Sequence, residues 1–238
     1  MKCLVFCLLL AGFVPAVAAE QLDSATADAG LKEALRMGVN RAVSELGRID
    51  GYLENPEVRI PVPVTLEQVD LMLRTLGLGS VMDEFETSMN RAAEAAAPLA
   101  KKVFVKTIKQ MSISDAIEIV RGEGHEATDY LRKHAGEELA VQFTPIVSEQ
   151  LDAVGATRSF NELMDRTATL PFVSKPMFDL EDYVTEKALD GLFFMIAREE
   201  EKIREDPLAR TTNLLKTVFG SATDRDGTVP WWKRLFRD

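Results

Sequence analysis

Lys187-Ala188-Leu189-Asp190-Gly191-Leu192-Phe193-Phe194, inside the run from Leu180 to Glu205, is the stretch whose reading decides the fold. Tyr183, Leu189, Leu192, Phe193, Ile196 and Ile203 fall at the three-, four- and seven-residue spacings of one helix face, and Pro207 supplies a stop. Gly191 inside this run costs about 1 kcal/mol of helix propensity relative to alanine, which predicts the close approach of another helix.

Outward from this run the same period repeats. Leu31, Leu35, Val39, Ala42 and Leu46 draw one stripe down a helix of residues 27–47, with Asp28 as its cap and Gly47 as its stop. Asn55-Pro56-Glu57-Val58-Arg59-Ile60-Pro61-Val62-Pro63 holds three prolines and is expected to run extended along the helical body. Thr65 and Gln68 form a capping-box pattern for a helix ending at Gly77. A long helix follows Gly79, Pro98 starts a new turn or a kink, and Ser112 to Ser114 reads as a cap.

Beyond Gly122-Glu123-Gly124 the pattern predicts a short helix with Tyr130 and Leu131. Gly136 then precedes a separate stretch that Pro145 starts or bends. Phe160, Leu163 and Met164 mark another short helix, residues 170–178 a proline-containing loop, and Leu208 to Val218 a last helix stopped by Gly220. No alternating strand pattern and no fixed-period repeat appears. The expectation is an all-α chain: a single compact multi-helix bundle with one extended proline-rich segment.

The two ends set expectations about location. Lys2, the apolar stretch Leu4 to Val14, Pro15 and Ala16-Val17-Ala18 have the order of a secretory signal, with cleavage after Ala18 or Ala19. Both cysteines, Cys3 and Cys7, lie inside it, so the mature chain has neither a disulfide nor a thiolate metal site. The organisation expected is a signal peptide over 1–19, a helical domain over 20–220, and a linker with a basic-aromatic tail over 221–238. The formal net charge is −10, and loss of Lys2 with the signal takes it one further, to −11. Such an acidic chain with no basic cluster in its body is a poor match for nucleic acid. The reading is a periplasmic protein without a membrane span in its mature part.

Catalytic signatures are sparse. There is no G-x-S-x-G elbow or phosphate-cradling loop, and His125 and His134 belong to no metal-ligand spacing, so neither a metal site nor a cofactor is assigned. Two charged clusters remain. In Ser88-Met89-Asn90-Arg91-Ala92-Ala93-Glu94, Asn90 and Glu94 share a helix face and Arg91 reaches Glu94. In Arg198-Glu199-Glu200-Glu201-Lys202-Ile203-Arg204, Glu200 and Arg204 stand in the favourable four-residue order. Three successive glutamates point three ways, so at least one is expected to face the body, with Arg59 or Arg91 as its partner. The plain alternative for both clusters is a solvated face with ordinary ion pairs. The tail carries Trp231, Trp232, Lys233, Arg234, Phe236 and Arg237 against Asp238, three basic residues to one acidic, which suits an anionic membrane headgroup region or an acidic partner.

Several strings together resemble one family. Gly30-Leu31-Lys32-Glu33-Ala34-Leu35, Ile60-Pro61-Val62-Pro63, the Ser88–Glu94 and Lys187–Phe193 strings, and Glu199-Glu200-Glu201-Lys202-Ile203-Arg204 resemble the exported bacterial domain-of-unknown-function family 4197, from about Leu22 to Gly220. The resemblance implies a helical, periplasmic protein and brings no activity, substrate or catalytic residue.

The function read from these residues is a non-enzymatic periplasmic binding or scaffolding protein. An apolar small molecule or an envelope protein would sit in an inter-helix cleft rimmed by Arg59, Asn90, Arg91, Glu94, Asp190, Gly191, Glu200 and Arg204. The rival is a hydrolase or metal-dependent enzyme using Glu94, Glu200 or Glu201, which requires those carboxylates to converge. A third reading is an envelope tether through the tail.

Overall fold

A computed structural model of the chain describes residues 24–122, 124–153, 155–168, 179–206 and 208–223. Among them there is no strand. The helices are α1 (Ser24–Leu46), α2 (Glu67–Thr75), α3 (Gly79–Ala96), α4 (Ala100–Gln110), α5 (Ile113–Arg121), α6 (Glu126–Ala153), α7 (Ala156–Ala168), α8 (Leu180–Glu205) and α9 (Asn213–Thr223). Short 3-10 turns at Val64–Leu66 and Ala97–Leu99 lead into α2 and α4. The fold is all-α, a compact bundle in which α1 packs on α8, α5, α9 and α4 while α6 packs on α8, α3, α4 and α7.

α8 has the bounds that its periodicity predicts, and its start is fixed by Asp179, whose side chain accepts from Glu181 N and Asp182 N. Its stripe meets α4 where Phe104 and Phe193 pack edge to face, centroids 5.5 Å apart at 87°. Gly77, at φ 74°, closes α2 as expected, with Leu78 N donating to Leu73 O at 2.8 Å. Ser112 caps α5 by accepting from Asp115 N.

Four local expectations are corrected. α1 begins by Ser24, one turn before Asp28, because Ala27 is already buried against the core; Asp28 instead pairs within the helix with Lys32 at 2.9 Å. Thr65 does not cap α2: a 3-10 turn closes Leu66 N onto Pro63 O, and the residue at the cap is Leu66, which makes no side-chain cap bond. The last helix starts at Asn213, not Leu208. Buried Arg210 donates to Ile203 O (2.9 Å) and Arg204 O (2.6 Å), which holds the preceding residues in a turn over the end of α8. α9 then continues past Gly220 to Thr223.

The fourth correction is the largest. The two pieces expected on either side of Gly136 are one 28-residue helix, α6, with exposed Pro145 inside it. Ala127, Leu131, Ala135, Leu139, Phe143, Val147 and Leu151 are buried at every fourth position. That unbroken stripe outweighs the cost of a glycine, and Pro145 forfeits its backbone bond on the solvent side.

Candidate functional site

The connector between α1 and α2 is fastened to the helices by buried polar side chains. Asn90, fully buried on α3, accepts from Ile60 N at 2.9 Å and donates to Ile60 O at 2.8 Å and to Glu86 O at 2.8 Å. Its amide thus pairs with one connector residue as a neighbouring strand would. Four residues on, Glu94 Oε1 accepts from Tyr52 N and Leu53 N, both at 3.2 Å, and Oε2 accepts from Arg91 at 2.6 Å. Arg91 also donates to Asp50 at 2.6 Å. Asp50 sits at φ 66°, a left-handed conformation that aspartate tolerates. The hydrogen bonds that Arg91 donates to Glu94 and then to Asp50 keep its guanidinium protonated above its ordinary range.

Tyr52 completes this fastening. Its hydroxyl donates to Ala188 O on α8 at 2.7 Å. Burial, and secondarily the Glu94 charge, push the phenol far above its ordinary value, so it remains a neutral donor. Gly191 is explained here too. A Cβ at that position would stand 2.7 Å from Tyr52 Cε1 and 3.2 Å from Val58 Cβ. The close approach predicted for Gly191 is real, but it comes from the connector and not from a helix.

A second fastening joins α8 to the α5–α6 junction. Glu200 accepts from Ala127 N (3.1 Å), Thr128 N (2.9 Å) and the Thr128 hydroxyl (2.8 Å), serving as an N-terminal cap for α6 supplied by another helix. Arg204 donates to Glu200 at 2.8 Å and to the carbonyls of Gly122 (2.8 Å) and Ile119 (3.0 Å) at the end of α5. Glu199 is buried as well and takes bonds from Lys202 (2.6 Å) and Arg41 (3.0 Å). Glu201 is exposed. Two of the three glutamates therefore face the body. Their partners are Arg204, at the four-residue spacing read from the sequence, and Arg41 and Lys202; neither is paired with Arg59 or Arg91.

Glu94 and Glu200 are thus committed to different backbone segments, and no hydrogen bond or shared cation joins them. Among the described residues no group of three or more His, Asp, Glu or Cys side chains could hold a metal ion. Between α1, α8 and α9 lies a small cavity of about 20 Å³ lined by Leu35, Ile196, Ile203 and Phe219, with Glu200 and Arg204 at its edge. That is room for about one water molecule, not for an organic ligand.

Concave features of useful size are on the surface, one of about 380 Å³ being lined by Ser80, Asp83, Glu84, Thr87, Ser88 and Arg91 of α3. An open groove of about 440 Å³ lies between connector residues 57–59, the first turns of α6 and the middle of α8. Arg59, Asp190 and Gly191 of the expected rim line it, whereas Asn90, Arg91, Glu94, Glu200 and Arg204 do not. Sequence reasoning passed over the rest of its wall: Glu57, Asp129, Arg132, Lys187 and Phe194, with His125 at one end. Arg132 donates to Asp190 at 3.0 Å and lies with its guanidinium 4.4 Å from the centre of the Phe193 ring. Arg59 pairs with Glu86 at 2.7 Å, and Arg198 with Glu57. Phe194, 39 % exposed, stands beside Phe193 but off the core stripe. That offset is the signal that could have singled it out.

Trp231, Trp232, Lys233, Arg234 and Phe236 lie outside the described residues, as do residues 1–23 and the loop expected over 170–178. No described helix is long and apolar enough to cross a membrane.

Compared with known proteins, the chain matches no curated protein and no solved structure. A family model does match, over residues 21–220, its description being Protein of unknown function (DUF4197). The matched span takes in both fastenings and the groove, and the chain belongs to this family.

Proposed function

We propose that this protein is a non-enzymatic binding module of the bacterial envelope, exported by its N-terminal segment, whose surface groove takes an extended segment of a partner protein. The observation that carries the reading is the composition of the groove. Exposed Phe194 and half-buried Ala197, over buried Val58 and Phe193, offer an apolar floor, and both cations (Arg59, Arg132, Lys187) and anions (Glu57, Asp129, Asp190) line the walls. Walls of both signs around an exposed aromatic suit a peptide with mixed side chains better than a purely apolar molecule. The buried carboxylates that an enzyme would need are bonded to backbone amides and arginines, which supports a binding role. The bundle is the scaffold that holds the groove, and among the described residues its interior offers no space beyond about one water molecule.

A photo-crosslinking side chain at position 194 tests this in the envelope. A discrete adduct is expected there, absent from the same probe at Val141, which is 71 % exposed on α6. Lys187→Glu in the position-194 protein should abolish the adduct without lowering the melting temperature by more than a degree or two, as expected for a surface substitution. Equal adducts at both positions, or an adduct indifferent to Lys187→Glu, would overturn the reading.

A further inference from the structure

Contrary to the expectation that the body of this acidic chain holds no basic cluster, α4 and the turn after α1 together make a basic surface. α4 carries Lys101, Lys102, Lys106 and Lys109 and no acidic residue. At about 100° per residue, Lys102, Lys106 and Lys109 fall within roughly 60° of one another, on the side opposite buried Ala100, Phe104, Thr107 and Ile108. All four lysines are exposed. Of these lysines, only Lys106 has an ion-pair partner among the described residues, Glu138 of α6 at 2.7 Å.

Apolar side chains stand at the head of this stripe. Leu99, one turn before Lys102, is 49 % exposed. The turn after α1 packs against the same point, since a Cβ on Gly47 would lie 2.9 Å from Pro98 Cγ. Beyond Gly47, Arg48 is exposed and Ile49 is 76 % exposed. What sets these two aliphatic residues apart from other exposed ones is their place among basic residues in a chain with a net charge of −10.

We propose that this corner docks on the surface of an anionic lipid bilayer, with Leu99 and Ile49 entering the headgroup layer and the α4 lysines lying over the phosphates. Charge complementarity argues for an anionic occupant. The residue types argue for a bilayer over an acidic protein. Lysine is a hydrated point charge on a long apolar stem, suited to a diffuse layer of phosphates, whereas recognition of individual carboxylates favours the forked guanidinium of arginine. Basic residues ringing short apolar tips form the pattern of interfacial attachment. This surface is separate from the groove and does not depend on its reading.

The test is co-sedimentation of the mature chain with vesicles of phosphatidylglycerol and phosphatidylethanolamine, against pure phosphatidylcholine. Binding to the anionic vesicles alone is expected, weakening as salt rises. Lys102→Glu and Lys109→Glu should each lower the partition coefficient at least fivefold, as should Leu99→Ser combined with Ile49→Ser, whereas Lys216→Glu on α9 should not. A chain ending at residue 228 separates this surface from the basic-aromatic tail, and it should keep the same dependence on Lys102 and Lys109. The proposal is overturned if anionic vesicles are not bound. It also fails if the lysine variants bind like the parent, if removing the tail abolishes binding, or if the lysines drive salt-sensitive self-association without vesicle binding.

Discussion

The Glu94 and Glu200 fastenings use the same parts to different ends. Each is a buried carboxylate on a helix, paired with an arginine one turn on or back, accepting from two backbone amides far away in sequence. Glu94 holds a turn of the connector, and its Arg91 is 29 % exposed and shared with Asp50. Glu200 holds the start of a helix, and its Arg204 is 11 % exposed and spends its other donors on carbonyls at the end of α5. The second pair therefore adds the favourable ends of two helix dipoles to its hydrogen bonds and is better shielded from water. Losing one partner of the second should cost more than losing one partner of the first.

The largest effect should come from Glu200→Ala, which takes the acceptor from two buried amides and the Thr128 hydroxyl and leaves Arg204 only the Gly122 and Ile119 carbonyls and Glu126 at 3.5 Å. A loss of about 3–5 kcal/mol is expected from urea unfolding. Amide exchange should accelerate first at Ala127 and Thr128. Glu94→Ala should cost about 2–3 kcal/mol, since Arg91 keeps Asp50 while the Tyr52 and Leu53 amides lose theirs; here faster exchange should appear at those two residues. If the two substitutions cost the same, the dipole argument is wrong. Asn90→Ala strips both polar groups of Ile60 of their partner and should cost about 1–3 kcal/mol, with exchange confined to the connector.

The smallest effect separates these fastenings from ordinary charge pairing. Burial pushes the Glu199 carboxyl upward, but bonds from Lys202 and Arg41 outweigh it and hold the group below its ordinary value of 4.5. A depressed folded value means that the stabilisation is present above the unfolded value and is lost as pH falls below about 4.5 through the folded one. Glu199→Gln should therefore flatten the acid side of the urea-midpoint profile while leaving the Ala127 and Tyr52 amides unchanged. An unaltered profile would show that the pair contributes nothing net.

The helices were legible wherever both the stripe and the stops are local. α8 is the clearest case, with an acidic cap before it and apolar residues at helical spacing along it. α6 was misread because glycine and proline are strong local signals, whereas its stripe becomes decisive only once several neighbouring helices cover it. The charged clusters are legible in the sequence, but what each side chain faces is not. Spacing shows that Asn90 and Glu94 share a face of α3, yet not that the face meets a connector some 30 to 40 positions away in sequence. The same limit hid the groove, whose wall combines residues from the connector, α6 and α8 that no local pattern links.

The stripe of α6 carries one further consequence. A residue every fourth position advances about 40° per step, so the six steps from Ala127 to Leu151 sweep roughly 240° around the helix. α6 therefore buries different sides along its length, meeting α3, α4 and α7 as well as α8, which it touches from Thr128 (Glu200) to Ser148 (Glu181). No plane can be drawn along it that parts the bundle into halves with intact interfaces. Loosening any one neighbour bares part of the same helix, and the molecule is built to melt in a single cooperative step.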